Sequence, residues 1–266
     1  MFKAVFIDID GTLIKSDHTI SEATIAVLKQ LKEKNILAVL VSARPLHGIL
    51  PIAKEAGLID GPISSLNGGY IADSSAIIFQ SFIDAATVSR LHEALQPYGA
   101  TIIYYDQDQW FAEENNAYIE KEQKITEVPV TVQPFAATLA HWQQTNGGPN
   151  KILVIAEPDV VLQMQKELKN DFDLNMWASK PIYLEFMNRN ASKSKAIQFI
   201  MNRHQLKQPE IIAIGDNYND QEMIEYAGLG IAMGNAPDEV KAAANYVTDT
   251  NNNDGVAKAL VKFLGL

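Results

Sequence analysis

Continuous apolar runs alternate with segments of helical periodicity over the first part of the chain. "KAVFIDID" and "ILAVLVSAR" are long enough to be buried strands, and between them Ile25, Leu28 and Leu31 recur at the spacing of one helix face. Thr19 and Glu22 have the spacing of a capping box and predict the start of that helix. A second helix, "PLHGILPIAKEAGL", and a third strand with a loop, "PISSLNGGYI", follow. This alternation predicts a parallel sheet covered by helices on both faces.

The pattern changes at about residue 83 and returns after residue 187. The intervening segment begins with a helical pattern and continues with two short strands, "ATIIYYD" and "QWFAE", which we expect to be antiparallel. It contains Trp110, Trp142 and Trp177, which are all the tryptophans of the chain. We interpret them as core residues of the insert, and a platform for a ligand is the alternative. We therefore predict a doubly wound α/β core with a Rossmann-like parallel sheet, formed by residues 1–82 and 187–266 and interrupted by an inserted α+β module at residues 83–186.

The composition narrows the expected partners and the expected compartment. The 266 residues carry a formal net charge of -10 without a cluster of Lys and Arg, which argues against a nucleic-acid surface. Cysteine is absent, which excludes disulfides and thiolate chemistry. No apolar run reaches the roughly 20 residues of a membrane span, and no signal-peptide pattern precedes the first strand. We expect a cytoplasmic protein that binds a small molecule and contacts neither nucleic acid nor membrane.

Polar side chains follow the predicted core strands at the points where the strands end. In an open parallel sheet, ligands bind beyond the carboxyl ends of the strands. Each cluster alone is weak evidence, because paired acids are common in turns and a single lysine is common on a surface. Their joint placement at successive strand ends is not expected from coincidence. The residues are Asp8 and Asp10 after the first strand, Ser42, Ala43 and Arg44 after the second, Asn67 and Gly68 after the third, Asp216, Asn219 and Asp220 after "EIIAIGD", and Lys193 at the start of the helix that follows the insert.

These motifs resemble those of the haloacid dehalogenase (HAD) superfamily of aspartate-nucleophile phosphotransferases. "DIDGT" matches the first motif of the family, Ser42 the second, Lys193 the third and "GDNYND" the fourth. The insert between Ser42 and Lys193 is similar in position to the C2-type cap of the Cof-like phosphatase subfamily, which implies that residues 83–186 are a substrate-specificity cap. The chain departs from the family pattern where glycine is common, at Ala43, Asn190 and Ser194.

The resemblance implies catalytic roles for the acids. Asp8 would be the nucleophile that attacks phosphorus and forms an aspartyl phosphate. Asp10 would donate a proton to the leaving oxygen as general acid and then accept one from water as general base. Mg²⁺, which prefers oxygen ligands, would be the cofactor. Its ligands would be Asp8, Asp10 through its carbonyl, and Asp216, and Asp220 would either ligate the metal or orient it.

The resemblance also implies which residues bind the phosphoryl group of the substrate. The phosphoryl oxygens would be bound by the amides of Ile9 and Ala43, the hydroxyl of Ser42, Lys193 and Asn219. Candidate substrate contacts are Arg44, Asn67 and Gly68. For Arg44, pairing with a carboxylate of the protein is an equally acceptable interpretation.

The expected function is a Mg²⁺-dependent phosphatase of small phosphorylated metabolites, with sugar phosphates as the expected class. A phosphomutase on the same scaffold is an alternative, and it would need a phosphoenzyme that survives attack by water. A non-enzymatic phospho-acceptor such as a receiver domain shares the paired acids and the later lysine, but it has no use for the insert. We expect a monomer or a homodimer, and the sequence does not name the substrate.

Overall fold

The computed structural model describes residues 1–74, 76–126 and 128–266 of the chain. These residues form two compact units, which we call the first unit and the second unit. The first unit comprises Met1–Ala43, Ile49–Ile78 and Ser192–Leu266, and the second comprises Arg44–Gly48 and Phe79–Ala191. The predicted insert, residues 83–186, lies within the second unit, and its assignment as a cap stays a prediction.

The helices and strands of the described residues are numbered in chain order. The strands are β1 Ala4–Ile7, β2 Leu37–Val41, β3 Pro62–Ser65, β4 Tyr70–Asp73, β5 Ala76–Gln80, β6 Thr101–Asp106, β7 Gln109–Ala112, β8 Thr131–Val132, β9 Lys151–Ile155, β10 Leu174–Lys180, β11 Tyr183–Asn188, β12 Ile211–Gly215, β13 Leu229–Ala232 and β14 Tyr246–Val247. The helices are α1 Glu22–Glu33, α2 Leu46–Glu55, α3 Ala85–Leu95, α4 Ala117–Thr126, α5 Phe135–Thr145, α6 Pro158–Leu168, α7 Lys193–Arg203, α8 Gln221–Tyr226, α9 Asp238–Ala243 and α10 Gly255–Leu264.

A large sheet with β1 near its middle organises the core. Within the described residues its strand order is β14-β13-β12-β1-β2-β3-β4-β5, and neighbouring strands from β14 to β3 are parallel. All four residues of β1 are buried, as expected for a strand that is covered on both faces. The doubly wound parallel sheet predicted from the sequence is confirmed. Because the strands are parallel, the polar clusters that follow β1, β2 and β12 lie at one edge of this sheet.

The segment "PISSLNGGYI" is two strands, and the prediction of a single strand with a loop was wrong. β3 and β4 pair antiparallel, with Ser65 opposite Tyr70. The chain reverses through Leu66, Asn67 and Gly68, whose φ angles of 48°, 50° and 87° are all in the left-handed region. A leucine rarely adopts that conformation, so the residue pattern gave no signal of so tight a reversal.

The start of α1 also differs from the prediction. Ser21 is the N-cap, and its hydroxyl accepts a hydrogen bond from the amide of Thr24 at 3.2 Å. Thr19, the predicted cap, instead donates its hydroxyl hydrogen to Asp17 at 2.7 Å. Both residues are of the capping type, and the turn that contains Asp17 holds Thr19 before the helix begins.

The second unit is built on a mixed sheet with strand order β10-β11-β9-β6-β7-β8 in the described residues. β6 and β7 are antiparallel, as predicted. Apolar side chains of α3, α5 and α6 pack with alternate residues of these strands around Trp142, which is fully buried. Trp110 is also buried, which agrees with its interpretation as a core residue, whereas Trp177 on β10 is partly exposed.

The described helices are all short. The longest of them, α1, has 12 residues. None of the helices in the described part of the chain combines the length and the apolar composition needed to cross a membrane.

Candidate active site

The turn after β1 holds Asp8 and Asp10 in different environments. The amide of Asp8 donates to the carbonyl of Ile214 at 3.0 Å, which continues the pairing of β1 with β12, and the carboxylate of Asp8 is buried. Gly11, with a φ of 81°, then reverses the chain. The side chain of Asp10 is exposed. The two acids are therefore available for different tasks, one inside the site and one at its surface.

Asp220 is held by the backbone of its own loop, which follows β12. One of its carboxylate oxygens, Oδ2, accepts hydrogen bonds from the amides of Asp216 and Asn217, each at 3.0 Å. A Cβ at Gly215 would lie 2.5 Å from the Cβ of Asp220, so this close turn requires glycine at residue 215. The carboxylate of Asp220 is completely buried and its orientation is fixed.

Lys193 joins the two carboxylates. It is the first residue of α7 and only 2% exposed, and its ammonium group donates to Asp8 Oδ1 at 2.6 Å and to Asp220 Oδ1 at 2.5 Å. Burial alone would lower the pKa of Lys193, but the negative charges of Asp220 and Asp8 outweigh burial and raise it. Lys193 is therefore a permanently charged partner of both acids.

A third carboxylate, that of Asp216, lies close to the two that contact this lysine. Oxygen atoms of Asp8, Asp216 and Asp220 lie within 4.8 Å of one another. Burial and the charge of Asp220 raise the pKa of Asp8, and the same two causes raise the pKa of Asp216 to about 6. When all three are ionised, one ammonium group leaves two negative charges unbalanced. A cluster of oxygen ligands with this excess charge fits a hard divalent cation such as Mg²⁺.

Asp216 has supporting contacts that the sequence prediction did not include. The hydroxyl of Thr12 donates to Asp216 Oδ1 at 3.0 Å. A Cβ at Gly11 would lie 2.2 Å from Asp216 Oδ2, so the carboxylate packs directly on the turn after β1. Asn235 donates to the same Oδ2 at 3.3 Å. Thr12 stands within the "DIDGT" motif, whereas no spacing rule connects Asn235 with Asp216.

Hydrogen bonds connect the ends of β2 and β3 with each other and with the loop after β12. The amide of Ser42 donates to the carbonyl of Ser64 at 2.9 Å, and the amide of Asn67 donates to the carbonyl of Ser42 at 2.8 Å. The side chain of Asn219 donates to Asn67 Oδ1 at 3.0 Å. The hydroxyl-bearing residue Ser42 is thus fixed by its backbone, and Asn67 links the third strand to the loop after β12.

Gly68 has a structural task in addition to the predicted one. A Cβ at this residue would lie 2.3 Å from the carbonyl oxygen of Ser192. Ser192 is the N-cap of α7 and precedes Lys193. The absence of a side chain at Gly68 therefore allows the start of α7 to approach closely enough for Lys193 to reach Asp8.

Three predicted residues remain to be located: Ile9, Ala43 and Arg44. The carbonyl of Ile9 accepts from the amides of Thr12 and Ile14 at 3.3 and 3.1 Å, and this closes the turn that carries the acids. Ala43 is the last residue of its segment of the first unit. Arg44 belongs to the second unit, where its guanidinium donates to the carbonyl of Gly48 at 3.4 Å.

The chain belongs to the haloacid dehalogenase-like hydrolases. The sequence model of that family matches residues 5–260, which is nearly the whole chain. A Haemophilus influenzae protein named "Putative phosphatase" is 34% identical over 264 residues, which are 98% of this chain and 97% of that protein. The resemblance found in the motifs is confirmed, and the chain is an enzyme of the hydrolase class.

Two further relatives carry more specific names. A Bacillus subtilis protein named 5-amino-6-(5-phospho-D-ribitylamino)uracil phosphatase is 28% identical over 271 residues, which cover 98% of this chain and 97% of that protein. A solved structure described as a HAD subclass IIB sugar phosphatase has a TM-score of 0.85 and 26% identity, and the match covers 99% of each chain. The expected subfamily agrees with both relatives.

The close approach at Gly68 yields a test of how Lys193 is positioned. In Gly68→Ala, a Cβ would collide with the carbonyl of Ser192, and we expect α7 to shift and kcat on p-nitrophenyl phosphate to fall by at least about tenfold, the effect of losing roughly 1.4 kcal/mol of transition-state stabilisation. Gly57→Ala is the matched control, because Gly57 also has a positive φ, 71°, but no described atom lies within 4 Å of the position that a Cβ would occupy there.

Both substitutions impose the left-handed conformation on alanine, which costs about 1–2 kcal/mol, so both variants should lose thermal stability, and Gly68→Ala should lose more because of the added collision. Only Gly68→Ala should also lose kcat. Equal kcat values in the two variants would show that the approach of Ser192 to Gly68 does not position Lys193.

Proposed function

We propose that the chain is a Mg²⁺-dependent phosphatase that hydrolyses small phosphorylated metabolites, with sugar and polyol phosphates as the substrate class, through an aspartyl phosphate on Asp8. The observation that carries this proposal is the buried carboxylate of Asp8 at the carboxyl end of β1, bonded to Lys193 and grouped with two further carboxylates. Family membership supports the same chemistry.

Asp8 is suited to attack phosphorus. An oxygen of its carboxylate would form a bond to phosphorus while the bond between phosphorus and the ester oxygen breaks. Lys193 fixes the orientation of the Asp8 carboxylate by donating to its Oδ1 at 2.6 Å. The positive charge of Lys193 would also bind a phosphoryl oxygen that approaches Asp8. The hydroxyl of Ser42, the amides of Ile9 and Ala43, and the side chain of Asn219 would bind the remaining phosphoryl oxygens or orient them.

Asp10 is suited to move protons. Its side chain is exposed and it is two residues from Asp8 on the same turn, so it can meet the ester oxygen that leaves. It would donate its proton to that oxygen and release the alcohol. It would then accept a proton from the water that attacks the aspartyl phosphate, which releases inorganic phosphate and restores Asp8.

The donor set fits Mg²⁺. The carboxylates of Asp8 and Asp216 belong to the cluster of oxygen ligands and are assigned to the metal. The carbonyl of Asp10 is a third ligand, which the resemblance to the family implies. Asp220 Oδ2 accepts hydrogen bonds from two backbone amides, which fill both of its acceptor directions, and Oδ1 already faces the ammonium group of Lys193, so we assign Asp220 to orient the loop and the lysine. Mg²⁺, when bound, would offset the negative charge that Asp8 and the phosphoryl group bring together.

The substrate class follows from the two phosphatase relatives with specific names. One name specifies a phosphorylated ribityl group and the other a sugar phosphate, and both groups are phosphate esters on a polyhydroxylated carbon chain. We assign the same class to this chain. Hydroxyl groups on the leaving alcohol would require hydrogen-bonding partners outside the phosphoryl-binding residues.

The second unit carries polar groups that the phosphoryl chemistry does not use. Lys151 and Glu185 are buried with 3.8 Å between Nζ and Oε2, and Ser179 donates to Glu185 Oε1 at 2.7 Å. Trp177 is opposite Glu185 in the β10–β11 pair, and its indole N–H is buried without a hydrogen-bond partner among the described residues. An unpaired buried donor is costly, which supports a role for this unit as the substrate-specificity cap that recognises the leaving alcohol.

The metal assignment predicts a reversible loss of activity. Phosphatase activity on p-nitrophenyl phosphate should disappear after treatment with a chelator and return when Mg²⁺ is added back, because the carboxylate cluster has only oxygen ligands and an uncompensated charge. Release of inorganic phosphate is the readout. Full activity after thorough chelation would exclude the metal.

Substitution of Asp8 and substitution of Asp10 are predicted to affect different steps of the reaction. Asp8→Asn keeps the size of the side chain but removes the attacking anion, so both turnover and the phosphoenzyme should be lost. Asp10→Asn removes only proton transfer, so steady-state turnover should fall by about 10²–10⁴. With p-nitrophenyl phosphate, whose leaving group needs no proton, Asp10→Asn should still release p-nitrophenolate in a single turnover. More than trace turnover in Asp8→Asn would require another nucleophile.

The role of the second unit predicts a change of substrate preference. Trp177→Phe keeps an aromatic ring but removes the N–H donor, and the loss of one hydrogen bond of about 0.5–1.5 kcal/mol should lower kcat/KM for hydroxylated substrates by about two- to tenfold relative to p-nitrophenyl phosphate. A panel of sugar, polyol and nucleotide phosphates measures this ratio. Lys193→Ala is the contrasting variant and should lower kcat/KM for every substrate. An unchanged ranking in Trp177→Phe would remove the specificity role of Trp177.

A further inference from the structure

Asn235 contacts two strand ends of the first unit at once. It lies in the loop after β13, and its side-chain NH₂ group donates to the carbonyl of Gly11 at 2.9 Å and to Asp216 Oδ2 at 3.3 Å. Gly11 belongs to the turn that carries Asp8, and Asp216 follows β12. One amide group therefore connects the turn of the nucleophile with a second carboxylate of the cluster.

The orientation of this amide is fixed from the other side. Asn235 Oδ1 accepts a hydrogen bond from the amide of Asn251 at 3.0 Å. The side chain of Asn251 in turn donates to the carbonyl of Ile14 at 2.9 Å, at the far end of the same turn. Both ends of the Asn235 carboxamide are engaged, so the NH₂ group cannot rotate away from Gly11 and Asp216 without losing the bond to Asn251.

Close backbone contact keeps the two supporting loops in place. The amide of Gly234 donates to the carbonyl of Asp249 at 3.0 Å. A Cβ at Gly255 would lie 2.1 Å from the same carbonyl oxygen. The loop after β13 and the loop after β14 therefore contact each other through backbone atoms, and Asn235 is presented from a rigid support.

The carboxylate of Asp216 is consequently held at both oxygens. Thr12 donates to Oδ1 at 3.0 Å and Asn235 donates to Oδ2 at 3.3 Å, while the backbone of Gly11 blocks movement toward the turn. A carboxylate oxygen has more than one acceptor direction, so each oxygen keeps capacity for a cation after it accepts one hydrogen bond. Groups that orient a metal ligand commonly raise metal affinity, and their loss typically costs about 10- to 100-fold.

We propose that Asn235 is a positioning residue that holds the Asp216 carboxylate against the turn of Asp8 and thereby sets the affinity of the site for Mg²⁺. This inference rests on the proposed function, because it takes Asp216 as a metal ligand. Asn235 acts through Asp216 and takes no part in the bond changes at phosphorus.

The test measures Mg²⁺ binding directly, by calorimetric titration of the full chain with Mg²⁺ alone. Asn235→Ala removes both donors, and its Kd for Mg²⁺ should be about 10- to 100-fold weaker than that of the wild type. Asn252→Ala is the matched control. Asn252 joins the loop after β14 to the amide and hydroxyl of Ser16 at 3.0 Å each, and these contacts lie away from Asp216. Its Kd should stay within about twofold of the wild-type value, since the support of the metal ligand is unchanged.

A second readout separates positioning from general loop support. At saturating Mg²⁺, Asn235→Ala should recover most of its kcat and should keep the wild-type KM for p-nitrophenyl phosphate, and its thermal midpoint in chelator should match that of Asn252→Ala. If Asn235→Ala is not obtained folded, Asn235→Ser serves in its place, since a serine hydroxyl is too short to reach both acceptors.

The outcomes distinguish this inference from the proposed function. A Kd for Mg²⁺ that is unchanged in Asn235→Ala, or equally weakened in Asn252→Ala, overturns the role of Asn235 and leaves the phosphatase assignment intact. A wild-type protein that binds no Mg²⁺ overturns the metal assignment and the inference together. A weaker Kd confined to the Asn235 variants, with kcat restored by excess Mg²⁺, supports the inference.

Discussion

The buried contact of Lys193 with Asp8 and Asp220 is the interaction on which the candidate site depends. Taking an ammonium and two carboxylates out of water costs several kcal/mol for each ion, and only short, well-directed contacts repay that cost. The ammonium group donates to Asp8 at 2.6 Å and to Asp220 at 2.5 Å. Removal of the lysine would leave uncompensated buried carboxylates, a loss of about 3–5 kcal/mol for a broken buried pair. The chemistry proposed for Asp8 and the stability of the strand ends therefore depend on the same three charges.

Glycines at points of close contact make this arrangement sterically possible. Gly68 admits the carbonyl of Ser192, Gly215 admits the side chain of Asp220, and Gly11 admits the carboxylate of Asp216. Each of the three glycines allows a different part of the site to come close to the backbone. The site therefore depends on these close contacts as well as on the charged side chains. An added methyl group at any of them would lie under 3.0 Å from an atom of the neighbouring segment.

The sequence predicted the parallel sheet and the group of strand-end acids because both depend on simple periodicity and on the rule that parallel strands end at one edge. It could not predict the reversal at Leu66 and Asn67, since a leucine rarely has a positive φ and nothing in the residue pattern marks one there. It also missed the support that Asn235 gives to Asp216, because the two residues are brought together only by the pairing of β12 with β13 and the loops that follow. The sequence did not show that Ser21 and not Thr19 caps α1, because both residue types are suitable N-caps. The spacing of the motifs gave no indication that Lys193 donates to both Asp8 and Asp220, because the three residues are far apart along the chain.

The distances along the chain between these partners have a consequence for biosynthesis. Asp8 and Lys193 are separated by 185 residues, Thr12 and Asp216 by 204, and Gly11 and Asn235 by 224. During translation Asp8 therefore leaves the ribosome well before Lys193, Asp216 and Asn235. A nascent chain that has not reached Lys193 carries Asp8 without its charge partner, and β1 lacks its neighbour β12 until residues 211–215 have been made. The contacts that join Asp8, Lys193 and Asp220 can therefore form only after residue 220 has been made, and a shorter nascent chain cannot bring these two carboxylates together around the ammonium group.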